Sequence, residues 1–466
     1  MKAFIPLLLV AALSGCAVID PGESKVPQLG AAQVGLQHSD APWPTAQWWH
    51  RYNDSQLTQL IDQALLGSPS MDAAQARLAM ANAAVGGARA VQLPQADANF
   101  KATRQRFSGN YIYPPPYGGS MMTDADLRLN LGFDLDLWGR NRSRYAAAVS
   151  SQRAAMADLQ MARNTLVSAV IQSYYKLQGA LAQQTVLGEI VKQQENMLDI
   201  TRQRLKAGLD TQIEVKQADS AVSAARVQLS QAATNAKLLR NQLSALLGSG
   251  PQRGDHISQV ALTSMPSMTP GNIPLELLAR RPDIVAARDR AAAATSQVSA
   301  AKAEFYPNVN LAAFAGFMSL GLDNLLEGAS KTYGIGPAVS LPIFNGGALN
   351  AQLDTRKAER DIAVADYNQT LLTAVREVAD ASAGIQALKQ QAIDQAASLE
   401  AIKSAYEIAV DRYKSGLGNF IQVLLAQNEV QKQALLDTDL RARAFALDAQ
   451  LATALGGGYG AATTTH

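Results

Sequence analysis

"DLRLNLGFDLDLWGR", Asp126 to Arg140, decides how the rest of the chain is read. Leu127, Leu129, Leu131, Phe133, Leu135 and Leu137 alternate with Arg128, Asn130, Gly132, Asp134 and Asp136, and Asp126 precedes them. Successive strand side chains point to opposite faces, so this stretch is an extended strand with one apolar and one wet face. At about ten residues it has the length and pattern of a strand crossing an outer membrane. A small soluble sheet packed on helices is the alternative.

Working outward, the stretch returns. Leu135 and Trp138 correspond to Leu341 and Phe344 of "LPIFNGG" at an offset of 206. Upstream, Pro69–Pro94, "PSMDAAQARLAMANAAVGGARAVQLP", aligns without gaps on Pro282–Pro307, "PDIVAARDRAAAATSQVSAAKAEFYP", at an offset of 213. Downstream, "RLKAGLDTQIEV" from Arg204 matches "RYKSGLGNFIQV" from Arg412 at 208. The chain is therefore an internal duplication. Each half runs short helix, helix, strand pair, very long helix, turn, helix. The second strand pair is expected over about 308–344, where Tyr333, Ile335, Pro337, Val339, Leu341 and Ile343 alternate with small residues. The first is expected over about 96–137, and its seven extra residues fall on "YIYPPPYGG", Tyr111 to Gly119. That insertion suits an outer loop, where proline interrupts no ladder; its aromatics equally suit an interfacial girdle.

Four strands cannot close a barrel, because known barrels start at eight, so several chains must contribute. The long helices, Ser143 to Ala207 and Ala348 to Ser415, contain no proline and would extend roughly 100 Å each. Val364, Leu371, Val378, Ile385, Ala392, Leu399 and Tyr406 recur every seven residues. Val170, Leu177, Val191, Leu198 and Leu205 do the same in the first half, with Gln184 interrupting. A sustained heptad implies left-handed supercoiling against neighbouring helices.

Composition agrees. Hydrophobic residues make up 48% but aromatics only 6%, which favours close helix packing over a bulky globular core. Net charge is +2 over 41 basic and 39 acidic residues, so nothing speaks for nucleic acid. The four histidines are scattered and the methionines dispersed. No nucleophile elbow, phosphate loop or metal-ligand spacing is present, so no enzyme, metal or cofactor is expected.

The one cysteine, Cys16, follows a basic start at Lys2, a short apolar run and Leu13-Ser14-Gly15, in the manner of a bacterial lipoprotein signal. The apolar run is too short to span a bilayer. Cleavage before Cys16 would leave it as a covalent lipid anchor; a free buried thiol after an ordinary secretory signal is the alternative. By a rule of lipoprotein families, Ala17 in place of Asp fits sorting to the outer membrane of a Gram-negative cell. The expected layout is signal 1–15, acylated linker 16–47, first repeat 48–250, second repeat 251–455 and a flexible tail 456–466.

"WWHRYNDSQLTQLIDQAL", "LLARRPDIVAARDRAAAA", "AKAEFYPNVNL", "LPIFNGG" and the two glycine-containing turns together resemble the TolC-like outer-membrane efflux proteins, in their NodT-like lipoprotein branch. The resemblance runs from Trp48 to about Leu455. It implies a homotrimer in which four strands per chain build one twelve-stranded barrel, continued by a helical tunnel across the periplasm. It also implies a passive exit duct for small molecules, working with a periplasmic adaptor and an inner-membrane transporter of the resistance-nodulation-division or major-facilitator class. The channel of a type I protein secretion system and a lipid-anchored coiled coil without a pore are the alternatives. Residue by residue, Arg204, Leu205, Gly208, Leu209, Arg412, Gly416 and Leu417 fall on the family's periplasmic tip and are the expected adaptor contacts. Glu214, Tyr413 and Gln422 fall where relatives constrict the aperture, with Asp210 adjacent. Gly418 and Leu425 stand where some relatives carry charged gate residues. Apart from the resemblance, the glycines suit left-handed helix caps, and Asp210 and Glu214 suit solvated first-turn acids. In "RRPD", Pro282 suits a helix start and Asp283 its positive end.

Overall fold

The computed structural model describes residues 20–36, 43–110, 112–262 and 277–460. The signal segment and Cys16 lie outside the described residues. Among the described residues two compact units emerge, one drawing on 20–28, 77–110, 112–156 and 286–368, the other on 29–36, 43–76, 157–262, 277–285 and 369–460.

Helices α1 (Ser55–Gly67) and α2 (Pro69–Ala90) lead into strands β1 (Gln95–Arg106) and β2 (Met121–Asp134). The long helix α3 (Arg140–Lys206) and α4 (Gln212–Leu246) follow. The second repeat gives α5 (Pro282–Ala303), β3 (Asn308–Leu320), β4 (Lys331–Ser340), α6 (Ala348–Lys414) and α7 (Phe420–Ala454). The duplication holds in detail: α3 and α6 are each 67 residues, and α4 and α7 are each 35.

In the first unit the strands form one antiparallel sheet in the order β1-β2-β3-β4. Their register lines up one face: Phe100 opposite Leu127, Leu127 opposite Phe317, Leu131 opposite Ala313, Ala313 opposite Ile335. This apolar face stands open to the surroundings, with Ile335 76% and Tyr333 83% exposed. The opposite face carries Asp97, Asn99, Lys101, Asp124, Asp126, Arg128 and Asn130. Arg128 pairs with Asp126 at 2.7 Å and lies over the Phe314 ring at 5.3 Å. β3 places Ala312, Phe314, Met318 and Leu320 on this face, which is why it reads poorly as an alternating strand.

Two strand ends differ from expectation. β2 stops at Asp134 although the leucine alternation runs on to Leu137. Asp136 turns left-handed, φ 45°, and its carboxylate accepts from Asn141 N and Arg142 N, both at 2.9 Å, satisfying amides at the start of α3. β4 stops at Ser340, ahead of Pro342, so Leu341 and Ile343 lie beyond it.

A strap along α6 completes this unit. Arg360, 4% exposed, donates to the carbonyls of Pro21 at 3.3 Å, Gly22 at 2.7 Å and Glu23. Asp361 accepts from Ser24 Oγ at 2.6 Å and Lys25 N at 3.2 Å. Asn368 donates to Pro27 O at 2.9 Å, and Lys302 on α5 donates to Asp20 O at 2.8 Å.

The second unit has an aromatic core. Trp48, Trp49, Leu57, Leu60, Ile61, Tyr174, Tyr175, Leu243 and Phe445 are buried together, and Tyr175 stacks on Phe445 with centroids 4.1 Å apart. Tyr174 donates to Asp54 at 2.6 Å. Along α6 the heptad positions Val364, Leu371, Val378 and Ile385 are buried, as are Val170, Leu177, Val191 and Leu198 on α3. Arg281 of "RRPD" is also buried, at 3% exposure. It holds Asp283 at 2.6 Å and Glu377 at 2.7 Å and donates to Ala454 O at 3.1 Å, tying the start of α5 to the end of α7. No helix among the described residues is long and apolar enough to cross a membrane.

Candidate functional site

The candidate site is the pair of turns ending the long helices. In the first, Gly208 N donates to Leu205 O at 3.0 Å and Leu209 N to Arg204 O at 2.9 Å; in the second, Gly416 N donates to Tyr413 O at 3.1 Å and Leu417 N to Arg412 O at 2.8 Å. This double bond pattern stops a helix with a left-handed residue. Gly208 and Gly416 supply it at φ 75° and 76°, where a Cβ would be strained. The expected caps are therefore present, and the leucines after them, Leu209 and Leu417, are 63% and 72% exposed.

The side chains then join the two turns. Asp210 is not a solvated acid: its side chain is 7% exposed, against Arg204 Nε at 3.1 Å. Tyr413, 1% exposed, donates its hydroxyl to the same Asp210 oxygen. Arg204 donates to Tyr413 O at 2.8 Å, and its guanidinium lies 4.4 Å from the Tyr413 ring centre. A carboxylate, a guanidinium and a phenol thus link residues about two hundred positions apart in one chain. Burial first, and the bond to Asp210 second, push the Tyr413 hydroxyl well above its ordinary range, so it remains a neutral donor at physiological pH. Met197, Leu198, Ala218, Val222, Phe420 and Val423 form the apolar bed beneath it.

Glu214 does something else. Thr211 caps α4, accepting from Ile213 N, while Glu214 reaches back to Thr211 N at 2.8 Å, a reciprocal capping box. The Thr211 hydroxyl, followed by backbone amides, holds the Glu214 carboxyl below its usual range. In the second turn Asn419 alone caps α7, accepting from Gln422 N at 3.0 Å. Gln422 is exposed. Leu205 is half-buried, and Arg412 donates to Leu417 O at 3.2 Å. Thus Arg204, Asp210 and Tyr413 come together, whereas Glu214 and Gln422 sit on separate helix starts.

The profile of the outer membrane efflux protein family matches residues 60–249 and 273–457. The multidrug resistance outer membrane protein MdtQ of Escherichia coli O6:H1 strain CFT073 is 32% identical over 98% of this chain and 98% of its own. The crystal structure of the outer membrane protein VceC from Vibrio cholerae superposes with a TM-score of 0.84 at 35% identity, covering 89% of this chain and all of that one. The Campylobacter jejuni CmeC outer membrane channel superposes at 0.87 with 25% identity, over 96% of each chain.

Proposed function

We propose that this chain, which belongs to the outer membrane efflux protein family, is the outer-membrane exit duct of a tripartite pump that discharges drugs or other toxic small molecules. The observation that carries the reading is the sheet: one face apolar in register across four strands, both edges open, joined to two 67-residue helices that double back at matched turns. An open edge has no place in a bilayer, because its amides and carbonyls would find no partners. Copies of the chain satisfy them by pairing edges, three chains making a barrel of twelve strands. The polar face then lines a water-filled interior and the apolar face meets lipid. Family and fold are those of outer-membrane channels and not of enzymes.

The Arg204–Asp210–Tyr413 latch is the aperture element in this reading, since it holds the two turns of a chain together. Exposed Leu209 and Leu417, presented by their glycine turns, offer the periplasmic adaptor an apolar contact beside Arg412. The adaptor bridges to an inner-membrane transporter of the resistance-nodulation-division or major-facilitator class. Cys16 carries the lipid, and the strap on α6 leads the chain from that anchor onto the helix.

Planar-bilayer conductance of the detergent-extracted protein, with its mass measured first, tests this reading. A three-chain particle with small, flickering currents is expected, together with restored drug tolerance when the gene is returned to a deletion strain. A stable one-chain particle that carries no current would overturn the reading.

A further inference from the structure

The sheet sorts its charges by face. On the apolar face the paired rows run Ala96 with Leu131, Ala98 with Leu129, Phe100 with Leu127, Ala102 with Ala125, Arg104 with Thr123 and Arg106 with Met121. The row through Leu127 continues to Phe317 and ends on Lys331. Every carboxylate on the strands, Asp97, Asp124, Asp126 and Asp134, falls on the other face, together with Lys101 and Arg128. The charged residues left on the apolar face are Arg104, Arg106 and Lys331, and all of them are basic.

They also share one end of the sheet. Arg106 closes β1 and Lys331 opens β4, at the end away from the long helices. Each is exposed. Arg106 gives its Nε to Gly119 O at 3.2 Å, but among the described residues no acid pairs with any of the three. The strand arginine that does hold an acid, Arg128 on Asp126, belongs to the other face. The first hairpin loop, 107–120, contains no carboxylate, and Asp323 and Glu327 in the second, 321–330, are exposed and form no ion pair with Lys331.

Cations on a face that meets hydrocarbon need a counter-charge. Long basic side chains can carry their heads to the interface, yet β1 and β4 are the edges of the sheet. Where copies pair edges, Lys331 of one copy arrives at the outer end of the joint beside Arg104 and Arg106 of the next. Like charges brought together across strands repel. The joint therefore calls for an anion of more than one negative charge, offered from the lipid side.

We propose that this rim seats the phosphates of a glycolipid bearing two of them, the lipid A class, with its acyl chains lying along Phe100, Leu127 and Phe317. Arginine meets phosphate with two parallel N–H donors and keeps its charge at every physiological pH. Two phosphates answer three cations more fully than the single phosphate of phosphatidylglycerol. The long helices leave the opposite end of the strands, so this end faces the outer leaflet, where such a glycolipid resides. The lipid is then part of the joint, neutralising a cluster that the chains cannot neutralise for each other. The inference rests on the reading of this chain as an outer-membrane duct.

Native mass spectrometry of the full-length lipoprotein in detergent, titrated with bis-phosphorylated lipid A, its dephosphorylated form or phosphatidylglycerol, tests the rim. The three-chain particle should retain lipid A and bind the other two about tenfold more weakly. Arg104→Gln and Lys331→Gln should each weaken lipid A about fivefold, the worth of one cation at an anionic surface. Lys331→Arg and, on the other face, Lys101→Gln should leave it unchanged. In delipidated protein the triple variant Arg104→Gln/Arg106→Gln/Lys331→Gln should separate into chains at a higher temperature than the parent, since its repulsion is gone. Added lipid A should raise the separation temperature of the parent and not that of the variant. Equal retention of lipid A and phosphatidylglycerol would overturn the ligand, and undiminished lipid A binding in the single and triple variants would overturn the site. Either result leaves the duct reading standing, whereas a one-chain mass would overturn both.

Discussion

The two turns share a backbone and divide their chemistry. At the 208-residue offset Arg204 matches Arg412, Gly208 matches Gly416 and Thr211 matches Asn419, yet Asp210 meets Gly418, Leu205 meets Tyr413 and Glu214 meets Gln422. The first turn holds the carboxylate and the second the phenol, so one latch forms where a symmetric pair would allow two or none. Deprived of an acid, Arg412 donates to Leu417 O at 3.2 Å, its own turn's carbonyl. Duplication alone makes a hairpin; the latch required the copies to diverge in complementary directions.

Removing the acid should break the comparison most severely. Asp210→Asn takes the charge from both of its donors, each such bond contributing about 2 kcal/mol, and single-channel conductance in planar bilayers should rise several-fold. Tyr413→Phe should give a smaller rise, because Arg204 keeps Asp210. Unchanged current in both would mean that the aperture is set elsewhere. Making the turns alike is the converse test. Gly418→Asp with Leu205→Tyr supplies the missing acid and phenol, and conductance should fall below that of the parent. A Cβ at Gly418 would lie 3.2 Å from Arg412 Cβ, so this variant's thermal stability must be measured alongside.

Smaller effects are expected at the caps. Thr211→Ala should cost about 1 kcal/mol, seen as faster hydrogen exchange over the first turn of α4 with α7 unchanged. Glu214 sharpens this through pH. Its carboxyl is held below the ordinary value, so its contribution is complete above the unfolded value and disappears as pH falls through the lower, folded one. The difference between parent and Glu214→Gln in that exchange should therefore vanish in acid. The smallest effect concerns the strap, which among the described residues runs along the second repeat's long helix. The Ser24 hydroxyl, then Lys25 N–H, hold the Asp361 carboxyl low by the same logic, so strap cleavage by a protease should accelerate as pH falls, and Asp361→Asn should cleave quickly at every pH. A pH-independent rate in the parent would count against this.

Much of the fold was legible because it repeats. The Leu127–Phe133 alternation marks β2, the proline-free tracts mark α3 and α6, and the recurring glycines mark the turns. The end of β2 was not legible, since Asp134 and Asp136 continue the alternating pattern while their carboxylates serve backbone and arginine groups at the start of α3. The family resemblance singled out Tyr413, with Asp210 adjacent, as aperture candidates. Their bond was hidden, because an acid in one turn and a phenol in the other show no local pattern. Arg281 was hidden for a related reason: "RRPD" reads as a helix start, and nothing nearby announces Glu377 or Ala454 O as partners.

The strap has a mechanical consequence. Its bonds to Arg360, Asp361 and Asn368 lie side by side along one helix. A pull along the helix on the residues preceding Asp20 would load several of them at once and shear them together instead of peeling them singly. The force would enter α6 and, through Lys302 on Asp20 O, α5 as well. The described segment from Asp20 to Pro27 is thus made fast to one helix at several points at once, like a rope lashed along a spar.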